Sequence, residues 1–247
     1  MSDYRNTARA IPANRADMAV DAGLRSFMLG VYNKVALGLV VSGALAFVTS
    51  TVVPGLLFAE NAAGRVGYTP LGWAVAFAPL AILLFGGFAL RNPSPRQAGL
   101  MYWGIVSLIG ASLGAVVLRY TGESIASTFF VTAAAFGALS LFGYSTKKDL
   151  TGFGSFLIVG LIGLVLASVV NIFLQSPAMH FVISGLGVLI FAGLIAYDTQ
   201  RLKMTYYDLG GDQAAMGVAT NFGALSLYLD FINLFQFLLS FMGGSRD

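Results

Sequence analysis

Apolar residues run along this chain in long blocks with few interruptions, at about 31 to 53, 71 to 90, 99 to 118, 124 to 144, 153 to 174, 178 to 197 and 218 to 242. Each block is close to the roughly 20 residues that carry a helix across the hydrocarbon core of a bilayer. A soluble core would break such runs with polar positions at helical or strand period. Here the whole circumference of each predicted helix is apolar, so its solvent is lipid. Transmembrane barrel strands are about 10 residues long and alternate in polarity, a pattern these blocks lack. Helices satisfy their own backbone groups in lipid. The pattern predicts an all-α polytopic membrane protein, a seven-transmembrane-helix bundle forming one domain over 31–242. A polar tail over 1–30 precedes it and a short tail over 243–247 follows. Connections as short as Arg119 to Glu123 and Gln175 to Pro177 predict tight antiparallel hairpins.

Composition strengthens this reading. The 247 residues are 57% hydrophobic and 10% charged, against roughly 25% charged in a soluble domain. The absence of cysteine excludes disulfides, thiolate metal sites and cysteine nucleophiles. In the tail, Arg5, Arg9, Arg15 and Arg25 interleave with Asp3, Asp17 and Asp21 around no apolar stretch, so it is not a signal peptide.

The net charge of +3 reads as loop asymmetry rather than as a nucleic-acid surface, and no nucleic-acid partner is expected. Of the 14 basic residues, eleven fall on one set of alternate connections: those of the tail with Lys34, then Arg91, Arg96, Lys147, Lys148, Arg201 and Lys203. Arg65, Arg119 and Arg246 fall on the other set. Basic residues are retained on the cytoplasmic side, so the amino terminus is expected inside and the carboxy terminus outside. Glycines lie mostly within the spans, and Gly110 and Gly114 form a GxxxG that signals close helix packing. No repeat of fixed period is apparent.

Acids inside an apolar span are expensive, which isolates two of the eleven. Asp230 lies mid-block in SLYLDFINLFQFLL and cannot snorkel to water; Asp198 ends the sixth block in GLIAYDTQRLK. Ser226, Asp230, Asn233 and Phe237 share one helical face, so Ser226 and Asn233 give the acid a polar stripe that should face the bundle interior. If the last two helices are neighbours, Asp198 and Asp230 can meet. Two carboxylates in a low-dielectric site cannot both ionise cheaply, so the pair is expected to share a proton and to act as a pH sensor or a cation site. Asp230 reads as the deeper of the two, and a kink near Gly223 is one way to bring them level. The basic residues nearest a span are Arg91 and Arg201; Arg201 alternatively makes a solvated pair with Asp198, and Arg91 alternatively serves as a topology anchor.

Other polar residues have simpler readings. His180, the single histidine, is placed at the external interface, and zinc is not expected. Asn171 and Asn33 read as interhelical hydrogen-bond partners. Lys147, Lys148 and Asp149 read as a basic turn that anchors topology and touches anionic lipid.

Four stretches resemble the Bax inhibitor family, also called the transmembrane Bax inhibitor motif family: STKKDL at 145–150, VNIF at 170–173, IAYDTQ at 195–200 and LYLDFINLF at 227–235. The resemblance covers all seven blocks in order. It implies a bundle with a central last helix, and a pH-sensitive calcium leak in which Asp198 and Asp230 are the paired sensors and Arg91 engages one of them. Some bacterial relatives carry an acid about three turns before that arginine, where this chain has Leu80. The ending GGSRD resembles the bacterial branch, implying the inner membrane.

Three functions compete. A passive cation pathway would take calcium as the transported ion, with no cofactor, on a weak and transient site of Asp198 and Asp230; calcium prefers six to eight oxygens, so carbonyls and water must complete the shell. The sign of its pH response is left open, because protons both compete with the ion and can open or shut the bundle. An intramembrane aspartyl protease would use Tyr197 and Asp198 with Asp230, but Asp230 lacks the GxGD glycines and no PAL sequence follows, so an enzyme is not expected. A non-transporting regulator would act on a membrane partner, such as a quality-control protease.

Overall fold

The computed structural model describes residues 13–60, 66–89 and 92–244. Helix α1 spans Ala13–Thr51, a short α2 spans Pro54–Leu57, and a two-stranded antiparallel hairpin follows, β1 (Phe58–Glu60) against β2 (Val66–Tyr68). Helices α3 (Pro70–Ala89), α4 (Pro95–Ser112), α5 (Gly114–Arg119), α6 (Gly122–Ser145), α7 (Thr151–Leu174), α8 (Pro177–Asp208) and α9 (Gln213–Met242) complete the chain. Among the described residues six spans are long and apolar enough to cross a membrane, with α4 and α5 counted as one, and α3 contributes a shorter apolar helix. The fold is that of an all-α polytopic membrane protein.

Local chemistry sets the boundaries. Ser94 and Gln97 form a capping box in front of α4, with Pro95 at its first position. Thr121 and Ser176 cap α6 and α8, and Asp212 accepts from the amides of Ala214 and Ala215 to start α9. Between α8 and α9, Gly210 and Gly211 take φ values of +56° and +90°, which a side chain would disfavour.

Helix α9 is the axis. It contacts α1, α4, α6 and α8, and 61% of its most apolar window is buried, against 11% for α7. One layer is built from α1, α3 and α4, the other from α6, α7 and α8. Leu227, Tyr228 and Ala224 of α9 are sealed against Val31, Tyr102 and Ile105 on the first side, while Leu234 and Leu238 meet Ile183, Leu194 and Ile195 on the second. The GxxxG reading is borne out: a Cβ at Gly110 would strike the backbone of Ser42, and one at Gly114 would strike Thr49 and Phe58, so α4 and α5 lie directly on α1. Ser42 Oγ uses that proximity, donating to the Val106 carbonyl at 3.1 Å and pairing with Tyr228 Oη at 2.6 Å.

Three differences from the sequence reading have physical causes. Helix α1 starts at Ala13, within the residues read as a polar tail, because the alanines and arginine of its first turn have high helix propensity. The third block is broken at Leu113, where Ser112 Oγ turns back to the Ile109 carbonyl at 2.8 Å. The hairpin between α1 and α3 has three-residue strands, too short to show a period.

Candidate functional site

Helix α8 continues ten residues beyond Asp198, and α9 begins at Gln213. The α8–α9 turn therefore lies well past the end of the sixth apolar block, and Asp198 is enclosed at about the level of Asp230. Their relative exposures are 5% and 6%. No kink at Gly223 is involved, since α9 is continuous there. Gly223 instead lets Leu202 of α8 lie where a side chain would otherwise stand, drawing the two helices together.

The two carboxyls lie close enough to interact. Carboxylate oxygens only accept, so a direct bond between them would need a shared proton. Asp230 Oδ2 is buried without a hydrogen-bond partner. Asp198 carries the polar connections: its Oδ2 accepts from Ser226 Oγ at 2.5 Å, and its Oδ1 pairs with Arg201 Nη2 at 3.2 Å. Arg201 Nη2 also donates to Ser226 Oγ at 3.1 Å, and its guanidinium rests over the Tyr197 ring at 5.6 Å. Arg201 thus clasps α8 to α9, one end on the buried acid and the other half exposed to solvent.

The polar face predicted on α9 is divided between two places. Ser226 and Asp230 join Asp198, as that face suggested. Asn233 donates its amide to the Leu229 carbonyl at 2.8 Å and lines a separate cavity of about 1000 Å³ near the α7–α8 turn. Arg119, Asn171, His180, Ser184, Gln236 and Ser240 line the same space. Phe237 also lines this space while stacking on Phe191 and covering Gly187. Leu234 and Ile195, three to four residues from the aspartates along α9 and α8, pack in one cluster with Phe191 and Leu194.

Arg91 lies outside the described residues. His180 is exposed, as expected, with Nε2 at 2.8 Å from Ser240 Oγ. Asn171 is not an interhelical partner: its Oδ1 accepts the Ser176 amide at 3.1 Å and closes the α7–α8 turn. Asn33 is exposed. The role of Lys203, donating to the Tyr144 carbonyl at the end of α6 at 3.0 Å, had no signal in the sequence. Among the described residues no three metal-ligating side chains gather, so the aspartate pair offers two carboxylates and the Ser226 hydroxyl.

Comparison with known proteins agrees in scope with this architecture. The family described as "Inhibitor of apoptosis-promoting Bax1" matches residues 24–247. A protein of Caulobacter vibrioides is 72% identical over the full length of both chains. A protein of Rickettsia prowazekii is 43% identical, again over both full lengths. The inner membrane protein YbhL of Escherichia coli is 39% identical over 94% of this chain and 98% of its own.

Proposed function

The chain belongs to the Bax inhibitor family, and on that premise we propose that it is a passive calcium leak of the bacterial inner membrane, gated by protons on the Asp198–Asp230 pair. The observation that carries this reading is the buried Asp198, clasped by Arg201 and Ser226 between the central helix and its neighbour, with the buried Asp230 beside it. A pair of acids so placed contributes little to packing. It is responsive to the one change that alters its charge.

Acid acts on this cluster in two ways. A second proton, on Asp198, removes the charge that holds Arg201, whose outer half already reaches solvent. The same proton takes an oxygen from any bound cation. The second effect matters only after an ion can reach the pair, and in this reading the packed Leu234–Ile195 cluster closes that route while the clasp holds. Release of Arg201 therefore governs, and influx rises as the medium is acidified. The ion passes through the cavity ending at Asn233, one turn from Asp230, and meets two carboxylates, the Ser226 hydroxyl and water. Such a shell is short of calcium's usual six to eight oxygens, which suits a leak, because a tightly held ion would not leave. In this reading the amino terminus is cytoplasmic, so the cavity opens externally and Arg201 faces the cytoplasm.

Purified protein in liposomes loaded with a calcium dye tests the proposal between pH 5 and 8. Influx above that of empty liposomes, increasing toward pH 5, supports it. Influx equal to that of empty liposomes at every pH, with folding verified, sinks it and favours a regulator that acts through a membrane partner.

A further inference from the structure

A second cavity, of about 470 Å³, lies between α1 and α6 on the side of the α8–α9 turn, and neither aspartate lines it. We propose that it is a binding site for an anionic phospholipid of the adjacent leaflet, phosphate at the Arg25 and Tyr144 end and acyl chain along Phe136 and Tyr32. This inference does not rest on the leak.

The groove is graded along its length as an amphiphile is. Arg25 and Tyr144 line its outer end. Lys203 reaches the same place, with Nζ at 3.0 Å from the Tyr144 carbonyl and over its ring at 5.4 Å. Lys147 and Lys148 follow directly, both exposed. Basic groups from α1 and α8 therefore meet at the Tyr144 end, and among the described residues no carboxylate lines the groove. One helical turn deeper, about 6 Å at 1.5 Å per residue, lies Ser140. It lines the groove and is only 5% exposed, and its buried hydroxyl has no hydrogen-bond partner. An unpaired buried hydroxyl costs free energy, and an ester carbonyl sits at that depth below a lipid phosphate. Deeper again the lining is apolar, ending where Tyr32 and Phe136 meet edge to face at 6.3 Å. Leu29 and Leu141 are 50% and 67% exposed, so the groove opens sideways into the bilayer. A soluble ligand would have no use for a lateral opening, whereas a lipid enters by it.

Gly137 supplies the test, because a Cβ there meets nothing within 4 Å. Gly137→Leu fills the acyl path without a clash, and Arg25→Gln removes a charge at the mouth. The full-length protein is titrated with phosphatidylglycerol, with phosphatidylcholine of the same chains, and with inorganic phosphate, and bound molecules are counted by native mass spectrometry. Wild type is expected to hold one phosphatidylglycerol, preferred over phosphatidylcholine by about fivefold or more, since each basic residue near a membrane surface favours anionic lipid by about that factor. Arg25→Gln reduces that preference while still holding lipid, and Gly137→Leu loses both lipids. Equal binding of the two lipids by wild type, wild-type occupancy in Gly137→Leu, or binding of inorganic phosphate alone would overturn the assignment. If Gly137→Leu fails to fold, the preference and its response to Arg25→Gln decide the matter.

Discussion

Replacing Asp230 with asparagine separates the proton from the shape of the pair. The side chain keeps its volume, and its amide donates permanently to Asp198, doing what the shared proton does in the native cluster. A hydrogen bond to a charged group is worth about 1.5–3 kcal/mol and is retained, so the variant should melt within about 4 °C of wild type at pH 7, given roughly 2–4 °C per kcal/mol for a chain of this size. Leucine supplies no donor and leaves Asp198 facing hydrocarbon. Removing one partner of a buried pair costs about 3–5 kcal/mol, which lowers the melting temperature by roughly 6–20 °C at that conversion. In the leak assay, a titrating proton alters a population by up to about tenfold per pH unit, and Asp230→Asn should compress the ratio of influx at pH 5 to that at pH 8 to within about twofold. A pH profile unchanged by asparagine would refute the sensor role. A leucine variant as stable as wild type would refute the buried hydrogen bond on which that role rests.

Further outcomes follow from the same geometry. Among the described residues Ser226→Ala removes the hydrogen bond that ties Arg201 to α9, so basal influx at pH 8 should rise while the response to acid persists. A Cβ at Gly143 would collide with the Ala196 carbonyl oxygen; Gly143→Val should cost at least about 1–3 kcal/mol as an overpacked core does, read as a lowered melting temperature in detergent. The Asp149 carboxyl is held below the usual carboxylate range by the Thr151 side chain and then by its amide, which donates at 2.8 Å. Its stabilisation is therefore present above the unfolded value of about 4 and disappears as pH falls through the lower folded value, so the melting difference from Asp149→Ala should be constant near neutrality and vanish in strong acid. The chain has no cysteine, so Lys148→Cys and Glu123→Cys report topology directly: an impermeant thiol reagent should label Glu123→Cys in intact spheroplasts and Lys148→Cys only after lysis.

The spans were legible because lipid imposes a uniform demand on every face of a helix, and an apolar block registers that demand in sequence. All seven blocks are helices, and both aspartates stood out for the same reason, each being a charge with nowhere polar to go. What the blocks cannot convey is where a helix stops once it has left the membrane. Apolarity ends near Tyr197, but α8 runs to Asp208, because after the bilayer its continuation depends on packing against α9 and not on lipid. That extension is what sets Asp198 level with Asp230. Contacts such as Lys203 on the Tyr144 carbonyl depend on which helix ends are neighbours, a property of the assembled bundle.

The packing around Asp198 bears on how its charge can be expressed as movement. On three successive sides a glycine admits α8 closer than any side chain would: Gly143 of α6 against Ala196, Gly154 of α7 against Tyr197, and Gly223 of α9 against Leu202. All three contacts fall within about one turn of Asp198. A buried acid in a loose site relaxes by rotating its own side chain toward water. Here the α6 and α8 backbones touch at Gly143 and Ala196, and side chains of α8 fill the glycine sites on α7 and α9; interiors packed at this density transmit strain and do not absorb it. A change of charge at Asp198 must therefore shift α8 as a body against its neighbours or be left uncompensated, and the exposed half of Arg201 is the one part of the cluster free to leave first. The glycines that make the site tight are what couple its titration to the bundle. Enlarging Gly154 or Gly223 should consequently blunt the pH response of the leak through a displaced α8, even with both aspartates and Arg201 intact.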